Sequence, residues 1–371
     1  MRKEAEMSAF KRALPVLVLA LVLGLAPVAA SLTGTRYLLT QMTTSIYYAL
    51  ATVGLCLLMG YAGQISMGHA GFIAIGGYAS SVLTTHNLIA HARLPGFQVL
   101  EQLGVLSRTV AADGVSPAIC LAPWVAFLAA VGLTIVIALL IGVPVLRLKG
   151  HYLAMATMGF GIIVHRLAIG FRVFGEADGI SGVPAFPILP GAAISGVISD
   201  RLSNYFLAAA ALVAGVWLLQ NLAHSRVGRA LRAIHGSEEA AEASGVDTAR
   251  YKLMTFVLSA VYAAAAGSFL AHYNGGIGPS EAGVMKSVRA VALVALGGMA
   301  NLWGTLAAAL ILNFLSLRGL FQSYDDAVFG AILIAVMVFA PSGRFPFAIS
   351  NTLRGAWRRM TMRQGRGAAR D

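Results

Sequence analysis

The chain has 371 residues, 58% of them hydrophobic and only 11% charged, with a mean hydropathy of +0.77. A soluble domain carries about 25% charged residues, so this chain has too few charges to cover an aqueous surface, and lipid is the solvent that an apolar exterior fits. The net charge of +12 comes from 22 Arg and 5 Lys against 15 acids, but these cations cluster in short segments between apolar runs, which argues for membrane topology and against nucleic acid.

A helix needs about 20 residues to cross a hydrocarbon core of about 30 Å, and shorter runs cross with tilt or local thinning. Taken in order, residues 1–13 carry Arg2, Lys3, Lys11 and Arg12 and are expected in the cytoplasm. Residues 14–32 form the first expected span. Residues 1–31 also have the features of a cleavable signal peptide, ending on Val28-Ala29-Ala30-Ser31; cleavage would leave the orientation of the later spans unchanged. A span over 41–60 returns, and the Gly-rich run 63–84 goes out again. The 86–118 segment balances Arg93 and Arg108 against Glu101 and Asp113 and is expected outside. Spans over 119–146 and 151–173 surround an inner turn with Arg147 and Lys149. The 175–202 segment, with Glu176, Asp178 and Asp200 against Arg201, is expected outside. A span over 204–222 leads to the 223–252 loop, whose Arg226, Arg229, Arg232, Arg250 and Lys252 place it inside, in agreement with parity. Residues 253–274 go out. Runs over 287–300, 302–318 and 326–341 return the chain to an Arg-rich cytoplasmic tail, 342–371. Gly297-Gly298 interrupts the first of these runs; parity allows eight or ten spans and excludes nine. The expected fold is all-α: a polytopic transmembrane helical bundle over 14–341, with short broken helices and both termini in the cytoplasm.

Two motifs stand out. In Gly60-Tyr-Ala-Gly63-Gln64-Ile-Ser66-Met-Gly68-His69-Ala-Gly71, small residues permit close helix approach or a broken helix whose free backbone lines a cavity. Gln64, Ser66 and His69 put polar atoms beside such a break, serving either a solute path or interhelical packing. In the 223–252 loop, Ser237 is an expected N-cap, Glu238 and Glu239 suit the positive end of a helix, and Gly245 suits its end. The resulting helix of about two turns has little apolar surface, so it suits docking into a partner's groove or a solvated connection. Cys56 and Cys120 lack metal-ligand spacing and are expected to pack.

The loop carries a specific resemblance. Glu239-Ala240-Ala241-x3-Gly245 resembles the Glu-Ala-Ala-x3-Gly loop of ABC importer permeases. Its flanks, Gly228-Arg-Ala-Leu-Arg-Ala-Ile and Gly245-Val-x3-Arg250-Tyr251-Lys252-Leu253, are similar to the LivM-type permeases of high-affinity branched-chain amino acid importers. So are Gly63–His69, Gly150-His-Tyr152-Leu-Ala154-Met-Ala-Thr157, Asp178-Gly179-Ile-Ser-Gly182-Val-Pro184 and Ala295-Leu-Gly297-Gly298-Met299-x3-Trp303-Gly304. The resemblance covers roughly residues 40–341. Two features depart from it: Ala340-Pro341-Ser342-Gly343-Arg344 stands where the family often has Leu-Pro-Arg-Gly, and the 86–118 segment is long.

The resemblance implies a permease subunit of the bacterial inner membrane that moves branched-chain amino acids or similar small polar solutes by alternating access. Its implied partners are a second homologous permease, two ATP-binding subunits and a periplasmic solute-binding protein. The ATPase-coupling loop would use Ser237, Glu238, Glu239, Ala240, Ala241 and Gly245. Candidates for the translocation path are Gly63, Gln64, Ser66, Gly68, His69, Tyr152, Thr157, Gly297 and Gly298. The alternatives are a secondary transporter acting alone, or an ABC permease for urea, amides or aromatic acids. Paired acids in mid-span, which a proton relay needs, are missing from the expected spans. The sequence also lacks Gly-x4-Gly-Lys-Ser/Thr, catalytic carboxylate pairs and metal-ligand spacing, so the chain is expected to be no enzyme, with no cofactor and no metal, and ATP hydrolysis falls to separate subunits. His151, His165, Arg166, His272, Glu281, Lys286 and Arg289 are expected near the interface, where long side chains reach water.

Overall fold

The computed structural model describes residues 2–87, 101, 104–110, 117–189, 191–320 and 324–339. Most of the 86–118 segment and the whole 342–371 tail lie outside the described residues. The helices are α1 (Arg2–Leu32), α2 (Leu38–Cys56), α3 (His69–Thr85), α4 (Pro123–Val145), α5 (His151–Gly170), α6 (Arg201–His224), α7 (Arg226–Gly236), α8 (Glu238–Ala243), α9 (Thr248–Asn274), α10 (Val284–Gly297), α11 (Leu302–Leu317) and α12 (Asp325–Phe339). Among the described residues, six helices are long and apolar enough to cross a membrane: 14–32, 38–61, 123–145, 151–170, 198–224 and 248–274. The shorter α3, α10, α11 and α12 complete the bundle. At 1.5 Å per residue, the 17 residues of α3 span about 25 Å, so it crosses only with local thinning or help from its flanks.

The bundle has a centre and a rim. In the most apolar window of 38–61, 83% of residues are buried, against 22% in 14–32 and 28% in 123–145. The rim helices expose large apolar side chains such as Leu21, Leu128 and Leu140, each more than 60% accessible. Stripes of this kind are unstable in water and stable against lipid or another apolar helix. At the centre, α3 crosses α9 at backbone contact distance. A Cβ on Gly76 would collide with the backbone of Ala264, and one on Gly267 with the backbone of Ile73. Several hydroxyls inside the spans bond the preceding turn of their own helix: Thr43 donates to the Leu39 carbonyl at 2.7 Å, Thr52 to Tyr48 at 2.8 Å and Thr134 to Ala130 at 2.8 Å.

Contacts fix the alternation of the central helices between two ends. One end carries the basic 225–247 segment. There Gly60 meets Met299, and Gly68 meets Thr157. At the opposite end, Ser80 bonds His272 at 2.9 Å and His165 bonds the Pro279 carbonyl at 2.9 Å. Three small antiparallel strand pairs, absent from the all-α expectation, sit at that opposite end: 106–110 with 117–121, 180–181 with 276–277, and 186–189 with 192–194. The last two pairs strap the 175–202 segment onto α9 and the chain that follows it. His272 donates to the Pro184 carbonyl at 2.7 Å, Trp124 donates to Pro187 at 2.7 Å, and buried Phe186 packs among Trp124, Phe127 and Phe269. The spans run longer than expected, over 201–224 and 248–274; the second starts early because Asp247 caps α9 by accepting from the Arg250 amide at 3.0 Å.

Candidate functional site

The basic segment folds into a two-helix arm. Ser225 caps α7, accepting from the Val227 amide at 3.1 Å, and α7 buries Gly228, Leu231 and Ile234 on one face. Arg232 donates to the Ala223 carbonyl at 2.8 Å, which ties the arm to the end of α6. Ser237 caps α8, accepting from the Ala240 amide at 3.2 Å. α8 has six residues, short of two turns, because Gly245 takes a left-handed φ of +83° and the Val246 amide bonds back to the Ala241 carbonyl at 3.0 Å. Ala241 faces inward, while Glu239, Ala240, Glu242 and Ala243 are exposed. Lys252, 7% accessible, holds Glu238 at 2.6 Å, and Thr248 donates to Glu242 at 2.9 Å. The arm is therefore pinned to α9 along one side and presents a small acidic, Ala-rich face on the other.

Two helix breaks meet under this arm. α2 runs into a π-helical turn, Leu57–Tyr61, a feature that clusters at functional positions. The chain then turns at Gly63, with φ +68°, and follows an irregular, non-helical course until α3 begins at His69. A Cβ on Gly63 would come within 2.9 Å of His235 on α7. The second break, between α10 and α11, carries Gly298 at φ +86°, and Asn301 caps α11 by accepting from Gly304 at 3.1 Å. Cys56 donates to the Met299 carbonyl at 3.5 Å across the two breaks. Free amides at the first break find side-chain partners on other helices: Met67 donates to Thr157 at 3.0 Å, and Ala70 donates to Ser287 at 3.0 Å.

The path candidates from the sequence thus occupy different environments. Gln64, Ser66, His69 and Thr157 are buried. His69 donates from Nε2 to the Ala51 carbonyl at 2.9 Å, which pins α3 to α2. Both side-chain polar atoms of Gln64 are buried and unpaired. Gly63 is exposed beside the arm, Gly68 is packed on α5, and Gly297 and Gly298 form the second break. Tyr152 is 73% exposed on the surface of α5.

A second polar centre combines residues expected singly at the interface. Between α2, α10, α11 and the start of α12 lies a cavity of about 190 Å³. Tyr48, Lys286, Arg289, Asn313, Ser316 and Asp325 form its polar wall, and Ile73 and Leu293 part of its apolar wall. Lys286 pairs with Glu281 and donates to the Tyr48 hydroxyl at 2.9 Å. Arg289 donates to Ser316 at 3.2 Å and to Asp326 at 2.9 Å, and its guanidinium lies 4.6 Å from the centre of the Phe329 ring. Ser316 in turn donates to Asp325 at 2.6 Å. One sequence signal pointed here: Asn313 is a lone amide inside the apolar run 302–317. No group of His, Cys, Asp and Glu suited to a metal occurs among the described residues.

Residues 37–337 match the model of the family described as branched-chain amino acid transport system / permease component. The chain belongs to that family. It is 29% identical over 325 residues to the high-affinity branched-chain amino acid transport system permease protein LivM of Escherichia coli K12, covering 82% of this chain and 69% of that protein. It is 28% identical over 317 residues to LivH of the same organism, covering 83% and 95%. A third relative, the galactose/methyl galactoside import permease MglC of Salmonella typhimurium, is 28% identical over 230 residues, covering 60% and 66%. No solved structure matches the chain. As a family member it is a polytopic, LivM-type membrane permease, a transport subunit built as a helical bundle.

Proposed function

We propose that this chain is the membrane-spanning subunit of an ATP-driven importer of branched-chain amino acids, resident in the bacterial inner membrane. It pairs with a second homologous permease, two ATP-binding subunits and a periplasmic binding protein. The arm end faces the cytoplasm and the strapped end faces the periplasm, a reading supported by the charges of the 223–252 loop. Two curated relatives, LivM and LivH, carry branched-chain amino acid transport in their names, which supports the solute class. MglC is named for galactose, so relatives of this chain also serve other solutes.

The observation that carries this reading is the capped α8 with its exposed Glu239 and Ala240, mounted on an arm that touches Gly63. In the proposed mechanism α8 sits in a groove of an ATP-binding subunit. ATP-driven closure of those subunits moves α8, and α7 passes the displacement through His235 to the break at Gly63. The neighbouring break at Gly298 moves with it through the Gly60–Met299 contact. Helix breaks of this kind shift at small cost because they have fewer backbone hydrogen bonds to disrupt. The path then opens to one face and closes to the other. Glu239→Lys reverses the charge on the docking face and should abolish uptake while the protein stays in the membrane; normal uptake by that variant would remove α8 from the coupling route.

A further inference from the structure

The cavity between α2, α10, α11 and α12 has an unusual set of unused valences. Arg289 Nε, Asn313 Nδ2 and Asp325 Oδ1 are buried and have no hydrogen-bond partner, although the other polar atoms of Arg289 and Asp325 are engaged with Ser316 and Asp326. Asn313 is only 6% accessible. Two donors and one carboxylate acceptor are thus left unpaired on residues that line a single small cavity. Leaving such atoms unpaired inside a bundle is costly, so a solute that satisfies them gains free energy on entering.

The pattern is specific about what would satisfy it. A carboxylate accepts from Nε–H and Nδ2–H, and an ammonium donates to Asp325 Oδ1. A simple amine would leave both donors empty, and a simple acid would leave the acceptor empty. The local charge is nearly balanced, with Lys286 and Arg289 against Glu281, Asp325 and Asp326, so no strong field selects a solute of large net charge. Ile73 and Leu293 complete the wall with branched apolar surface. Lys286, Glu281 and Tyr48 are already closed upon each other.

We propose that this cavity is a transit site for the zwitterionic head group of an α-amino acid. The carboxylate is held by Arg289 Nε and Asn313 Nδ2, the ammonium by Asp325 Oδ1, and the aliphatic chain lies against Ile73 and Leu293. The inference rests on the permease reading and deepens it by assigning residues to the solute.

The test uses the full importer in proteoliposomes, with its binding protein, and ATP-driven uptake of radiolabelled leucine. Asn313→Leu keeps the size and removes the donor; Asp325→Asn keeps the shape and removes the charge. Each should lower uptake at least tenfold, with equal amounts of protein in the membrane. Asn313→Gln keeps a donor and should recover at least a third of the parent rate. Uptake above half the parent rate in both disabling variants would overturn the site, and so would a loss in Asn313→Gln equal to that in Asn313→Leu, which would mark a packing effect. If the parent importer moves urea and not leucine, the zwitterion site fails while the ABC reading stands. If it moves no solute in response to ATP, the permease reading itself fails and the site falls with it.

Discussion

Glu238→Gln probes how firmly the arm is held. Lys252 Nζ lies 2.6 Å from Glu238 Oε1, and the two side chains are 9% and 28% accessible. Removing one partner of a fully buried pair costs about 3–5 kcal/mol, whereas an exposed pair contributes about 0–1 kcal/mol. Glu238 is more than a quarter exposed, and a Gln amide oxygen still accepts from Nζ, so the expected cost falls between these limits, at about 1–3 kcal/mol. Lys252→Met removes the buried charge and keeps most of the packing of the stem. The double variant should therefore be less destabilised than the sum of the singles by about 1–2 kcal/mol. Equilibrium unfolding of the four purified proteins in mixed micelles measures all three differences. Additivity within about 0.5 kcal/mol would refute the reasoning, because the two side chains would then not act as a unit.

Other consequences are simpler. Ser237→Ala removes the α8 cap and should cost about 1 kcal/mol of local stability, seen as faster amide exchange over 238–243, with Ser237→Asn restoring it. Gly76→Val drives a side chain into the Ala264 backbone and should sharply reduce the yield of folded protein from the membrane. Gly132→Ala, at a helical position with open space around it, should leave that yield unchanged or raise it, since Ala is favoured over Gly in a helix by about 1 kcal/mol. Glu239→Lys should be silent in these stability assays, because Glu239 is exposed, and should act on uptake alone.

Features encoded locally were legible in the sequence. Apolar runs marked the spans, and Ser237 and Gly245 marked the ends of α8, because a cap depends on residues one turn apart. α7 went unmarked: its buried stripe is only Gly228, Leu231 and Ile234 inside a basic loop, too short for periodicity to register. The strand pairs at the far end involve two to five residues each, and the 186–189 strand docks against Trp124, Phe127 and His272. The cavity was illegible for a different reason. Its walls come from residues 48, 286–289, 313–316 and 325, and each charge taken alone suits the membrane interface. Only their assembly reveals three polar atoms left over. The Gly60–His69 motif was legible as a helix break, but its neighbours, His235 and Met299, come from distant segments.

The source of the driving force separates an importer subunit from a carrier that works alone. Purified permease, its homologous partner, the two ATP-binding subunits and the binding protein are reconstituted together, and leucine uptake is followed with ATP inside the vesicles, with a nonhydrolysable nucleotide, and with an ion gradient alone. Leucine should accumulate only with hydrolysable ATP and only when the ATP-binding subunits are present. Accumulation by the permease alone, driven by the ion gradient, would contradict the importer reading.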